Sequence, residues 1–229
     1  MCSAFCRAFF LKAEESDEMN LNELIYLAPA ALIAICGHEY AHGYVSWKLG
    51  DPTPERDGRL SMNPLEHLDP MGTLALIFFH FGWAKPVRIN SWYYKDRKKG
   101  VLMVSLAGVA ANFLMAIIGL LLAGVILKIT GGQLSGIFYK LYYFLNYFVI
   151  LNVGLGVFNL IPIPPLDGAK AFGILFKNDE NYLDSRVNAQ GYIVIAVLML
   201  TGVLGPVLSF VQNIIIGVLW GFVKALLLI

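Results

Sequence analysis

Long apolar runs constrain this chain more than any other feature. Leu24–Trp47, Val101–Lys128 and Leu141–Ile161 each match or exceed the roughly 20 residues a helix needs to cross a hydrocarbon core about 30 Å thick. Two further runs, 189–203 and 207–228, close the sequence around Gly202, Gly205 and Pro206. Lipid offers no water to satisfy backbone N–H and C=O groups, so such runs fold as helices. The balance of residues agrees, with 58% of 229 residues apolar and only 14% charged, against about 25% charged in soluble domains. The expected fold is an all-α polytopic membrane protein with about five transmembrane helices. Residues 1–22 read as an N-terminal tail, and 23–229 as a single membrane-embedded domain.

One apolar stretch does not fit that scheme. Pro70–Trp83 would reach only about 21 Å as a helix, short of a full crossing. It contains Gly72, His80 and Gly82 and leads into Ala84-Lys85-Pro86-Val87-Arg88-Ile89. A short re-entrant or edge-strand element around 70–90, buried against protein, is expected there.

Composition also excludes several function classes. A net charge of +1 argues neither for nor against nucleic acid, but with no basic patch interleaved with aromatics no nucleic-acid partner is expected. Cys2, Cys6 and Cys36 offer neither a paired disulfide framework nor a thiolate metal cluster.

The chemistry lies inside the first apolar run. His38, Glu39 and His42 spell H-E-x-x-H, and residues four apart share one helix face. Two imidazoles so placed can grip one metal ion, and the adjacent Glu39 can act as general base on a metal-bound water. Ionisable groups in hydrocarbon each cost roughly 2.5 kcal/mol or more, so three within five residues imply a function.

A catalytic zinc takes three protein ligands and keeps a fourth position for water. The extended H-E-x-x-H-x-x-G-x-x-H pattern is absent, since Val45 and Lys48 stand at those positions. Glu66 lies 24 residues beyond His42 but in a Pro-flanked polar stretch with no helix signal. Asp167 is the better third ligand. It follows the break Pro162-Ile163-Pro164-Pro165 at the end of a span, beside Gly168, which permits close backbone approach. Taken alone it would read as a turn or helix-capping aspartate.

These motifs together resemble the site-2 protease family of intramembrane zinc metalloproteases. The resemblance rests on HEYAH (38–42) in a span and on Asn159-Leu160-Ile161-Pro162-Ile163-Pro164-Pro165-Leu166-Asp167-Gly168. Leu49-Gly50-Asp51-Pro52-Thr53, Gly58-Arg59-Leu60-Ser61-Met62-Asn63-Pro64 and Gly82-Trp83-Ala84-Lys85-Pro86-Val87 are similar to its compact prokaryotic branch, which lacks PDZ and CBS domains. It implies one zinc ion held by His38, His42 and Asp167, with Glu39 activating the water and Asn159 holding the substrate carbonyl or oxyanion. It also implies that the 83–86 region is a membrane re-entrant β-loop presenting an edge to an unwound substrate. Where the family commonly carries Ala-Gly-Pro-x-x-Asn, this chain reads Ala107-Gly108-Val109-Ala110-Ala111-Asn112.

The expected activity is therefore zinc-dependent hydrolysis of peptide bonds in or near transmembrane segments of membrane protein substrates. A membrane metal-ion transporter or sensor built on the same His/Asp cluster is the rival, although it would need further ligands along a path. His67 could face the site or be solvated, and His80 reads as a core histidine. Asn112 and Asn152 read as interhelical hydrogen-bonding groups. Nine Lys and Arg residues fall within 48–99 and none within 129–138, so the positive-inside rule places 48–99 and 162–188 in the cytoplasm. A prokaryotic cell membrane is the expected location, with the site towards the cytoplasmic side.

Overall fold

The computed structural model describes residues 21–63, 66, 85–177 and 185–228. Its long elements are α1 (Leu21–Lys48), α3 (Arg97–Ile129), α4 (Gly136–Asn159) and α7 (Leu204–Leu227), each long and apolar enough to cross a membrane. At 1.5 Å per residue they measure about 42, 50, 36 and 36 Å. The shorter helices are α2 (Thr53–Arg56), α5 (Asp167–Phe172) and α6 (Ser185–Leu200). A 3₁₀ turn, Ser91–Tyr93, precedes α3, and a π-helical turn, Gly173–Lys177, continues α5. Among the described residues there is no strand.

The architecture is thus an all-α polytopic membrane protein, with two local differences from expectation. The run expected to cross over 189–203 forms α6, which at 16 residues spans only about 24 Å. Gly202 ends it, taking a left-handed φ of 70° that other residues adopt at a cost. Helix α1 also starts at Leu21, three residues before the run Leu24–Trp47, which puts Pro29 inside the helix. The element expected over 70–83, with His67 and His80, lies outside the described residues. Of its continuation, residues 85–90 form neither helix nor strand, and Asn90 is extended at φ −126° and ψ 96°.

The chain divides into two compact units. One comprises residues up to Ala34, Asn112–Phe158 and Ile193–Ile229. Its core is Ala116 and Leu120 of α3, Val149, Ile150, Val153 and Val157 of α4, and Ile216 and Val223 of α7. Small residues let these helices approach: a Cβ on Gly119 would meet Val149 at 2.9 Å, and one on Gly156 would meet Phe113 at 3.3 Å. Buried amides tie the helices crosswise. Asn112 Nδ2 donates to the Ala34 carbonyl at 3.2 Å and to Asn152 Oδ1 at 2.9 Å. Gln212 Nε2 donates to the Ile150 carbonyl at 2.6 Å.

The second unit comprises Ile35–Ala111 and Asn159–Tyr192. Its apolar centre is Tyr94, Val101 and Val104, backed by Val45, Leu49, Ile89 and Ile174. The whole H-E-x-x-H motif and the Asp167 turn belong to this unit.

Candidate metal centre

Helix α1 places His38 and His42 one turn apart, with ring centroids 4.6 Å apart and the planes at 83°. Asp167 arrives from the opposite end of the unit's sequence, as the first residue of α5. Helix α4 stops at Asn159, and the proline-rich loop 160–166 turns the chain back on itself. A Cβ at position 168 would collide with the Leu160 carbonyl, so only glycine closes the loop this tightly. Its turns are held by Leu166 N donating to the Ile163 carbonyl at 3.0 Å and Ala169 N to the Leu166 carbonyl at 3.1 Å.

The three side chains converge. His42 Nε2 lies 3.0 Å from Asp167 Oδ2 and 3.0 Å from His38 Nε2, and His38 Nε2 lies 3.2 Å from the same Oδ2. All three residues are buried, with exposures of 4%, 8% and 7% for His38, His42 and Asp167.

Neighbours fix how these groups present themselves. His42 Nδ1–H donates to the Val104 carbonyl at 2.7 Å, which leaves the Nε2 lone pair facing the cluster. Lys170 Nζ donates to Asp167 Oδ1 at 3.1 Å and leaves Oδ2 to the imidazoles. Gly108 of α3 faces the pair, and a Cβ there would sit 2.5 Å from His42 Nε2 and 2.7 Å from His38 Nε2. The space beside the two ring nitrogens exists because position 108 has no side chain.

This donor set fits a zinc ion. Three electron-pair donors stand 3.0–3.2 Å from one another, and ligand atoms at tetrahedral zinc, bound at about 2.0–2.1 Å, would be roughly 3.3 Å apart. Two imidazoles and one carboxylate are also a ligand set that zinc favours.

Glu39, next to the first histidine, is half-buried, and its Oε2 accepts the backbone N–H of Val87 at 3.0 Å. Asn159 stands at the last residue of α4, eight positions before Asp167. Glu66, the weaker candidate for third ligand, is exposed and takes no part in the cluster. Sequence reasoning did not single out Val104, Val87 or Lys170. Only Lys170 carried a visible signal, a cation three residues beyond Asp167 on a short helix.

Comparison with known proteins decides the family. The profile of peptidase family M50 matches residues 26–202. The chain belongs to peptidase family M50. YwhC of Bacillus subtilis (strain 168), which bears a zinc-metalloprotease name, is 35% identical over 79% of this chain and 83% of its own. Rip2 of Mycolicibacterium smegmatis, also named as a zinc metalloprotease, is 31% identical over 74% of this chain and 64% of its own. Rip2 of Mycobacterium tuberculosis (strain H37Rv) is 30% identical over 61% of this chain and 53% of its own. No solved structure matches. As an M50 member with four membrane-length apolar helices among its described residues, the chain is an intramembrane zinc metalloprotease. The transporter or sensor reading gains no support from this membership.

Proposed function

We propose that this M50 peptidase holds one zinc ion per chain on His38 Nε2, His42 Nε2 and Asp167 Oδ2, and cuts transmembrane segments of membrane proteins. The observation that carries the proposal is the buried convergence of these three atoms at 3.0–3.2 Å within a membrane-length helix and the turn after another. When bound, zinc supplies a Lewis acid that brings the pKa of a coordinated water to near neutrality. Glu39 takes the water's proton and later delivers it to the leaving amine. Val87 N–H orients the Glu39 carboxylate for both transfers. Asn159 serves the substrate carbonyl as an oxyanion donor, worth about 2.7–4 kcal/mol in comparable sites.

A substrate helix has its carbonyls sealed in its own hydrogen bonds and must unwind before attack. The segment 85–90, outside any helix or strand, offers backbone groups with which an unwound chain can pair. Residues 23–229 act as one functional domain. The active site faces the cytoplasm of a prokaryotic cell, supported by the nine cations of 48–99 against none in 129–138.

The direct test is cleavage of single-span substrates by the purified protein in detergent, with the cut mapped by mass spectrometry. Wild type should cut within the span, and Glu39→Gln should lose at least a hundredfold in rate. Equal cutting by both proteins would overturn the proposal.

A further inference from the structure

Asp51 is a buried carboxylate that the peptidase chemistry does not use. It lies nine residues beyond His42, in the turn after α1, and is 0% exposed. Among the described residues no lysine or arginine forms an ion pair with it. Three neutral donors satisfy it instead: Ser46 Oγ at 2.8 Å and Asn90 N at 2.7 Å on Oδ2, and Thr53 N at 2.9 Å on Oδ1. Ser46 in turn accepts from the Tyr94 hydroxyl at 2.7 Å. Burial alone would push the Asp51 carboxyl up, but hydrogen bonds from the Thr53 side chain, the Asn90 and Thr53 backbone and Ser46 hold it below the usual range.

Closing the turn requires only the Thr53 contact, which an asparagine or serine could make. The other backbone donor belongs to Asn90, 39 residues further on, in the segment that reaches Glu39. That segment is therefore held at two points three residues apart, Val87 N–H on Glu39 and Asn90 N–H on Asp51. Between them Ile89 packs on the cluster of Tyr94, Val101 and Val104, and the Val104 carbonyl orients His42. Only an acceptor-only group takes all three donors without presenting a hydrogen of its own.

We propose that Asp51 is a positioning residue of this peptidase, fixing the register of residues 87–90 so that Val87 N–H is presented to the Glu39 carboxylate. The proposal rests on the reading of Glu39 as general base. Asp51 touches neither the metal-site residues nor the substrate, so its loss leaves zinc in place and slows the chemical step. A side chain misplaced by about 1 Å can cost about a hundredfold in rate.

The test uses the full chain in detergent and measures zinc content, melting temperature, kcat and KM on a single-span substrate. Asp51→Asn turns one carboxylate oxygen into an N–H₂ group facing donors. It should keep its zinc and lower kcat by roughly 10- to 100-fold, with KM changed less than about threefold. Val87→Pro keeps Asp51 and its three donors and removes the N–H on Glu39, and it should reproduce the same kcat loss. If Asp51→Asn does not fold, the Val87→Pro result decides. Wild-type kcat in either variant overturns the proposal, as does a kcat loss in a folded variant that merely tracks lost zinc. If Glu39→Gln cleaves as fast as wild type, the peptidase reading itself fails. If Glu39→Gln is inactive while Asp51→Asn is unimpaired, only the positioning role fails.

Discussion

A Cβ on Gly108 would sit 2.5 Å from Nε2 of His42, inside the contact distance of any two unbonded heavy atoms. The backbone of α3 therefore forms one wall of the space between the two imidazoles. Gly108→Ala should retain helix content, since alanine is the better helix former. It should nonetheless lose zinc and at least a hundredfold in cleavage rate, because the rings must swing away from Asp167. Metal analysis beside circular dichroism checks this, and full zinc occupancy in the variant would refute it.

Asn112 is fully buried and bridges the Ala34 carbonyl and Asn152 Oδ1. Asn112→Ala removes both bonds and leaves the Asn152 oxygen without this donor. The expected cost is about 1–3 kcal/mol of stability. It should appear as a lower melting temperature in detergent. Asn112→Ala/Asn152→Ala should cost less than the sum of the two single changes, since the pair shares one bond.

The depressed pKa of Asp51 gives a stability signature with a definite sign. A carboxyl whose folded pKa lies below its unfolded value, about 3.9, stabilises the fold fully above that value. The stabilisation is lost as pH falls through the folded pKa. Thermal unfolding followed from pH 6 down to pH 3 should show wild type losing stability below about pH 4. Asp51→Asn should be less stable at pH 6 and should lose less on acidification. A variant with the full wild-type acid slope would exclude Asp51 as its source.

The parts of this account legible in the sequence are those with a strong periodic or spacing signal. Apolar runs marked α1, α3, α4 and α7, and the four-residue spacing set His38 and His42 on one face. The proline break before Asp167 and the adjacent Gly168 marked the turn that brings the carboxylate round. Less legible were contacts made by backbone. The carbonyl of Val104 and the N–H of Val87 exist at every position of a chain and leave no trace in residue identity. Gly108 could be read only as a small residue in a span, because helix packing and room for a ligand pair leave the same mark. Asp51, between Gly50 and Pro52, carries only a turn signal, since its long-range partner, the Asn90 backbone, is equally silent. For the run at 189–203, apolar composition misplaced both ends of α6, which starts at Ser185 and stops at Leu200, before the left-handed Gly202.

The proposed zinc centre joins two residues of α1 and one of α5. The most direct measurement is zinc per chain, by elemental analysis of the purified protein, in wild type and Asp167→Ala. Wild type should hold about one zinc, and the variant should bind it so weakly that the metal is lost on dialysis against a mild chelator. One zinc retained by Asp167→Ala under the same dialysis would contradict this ligand set.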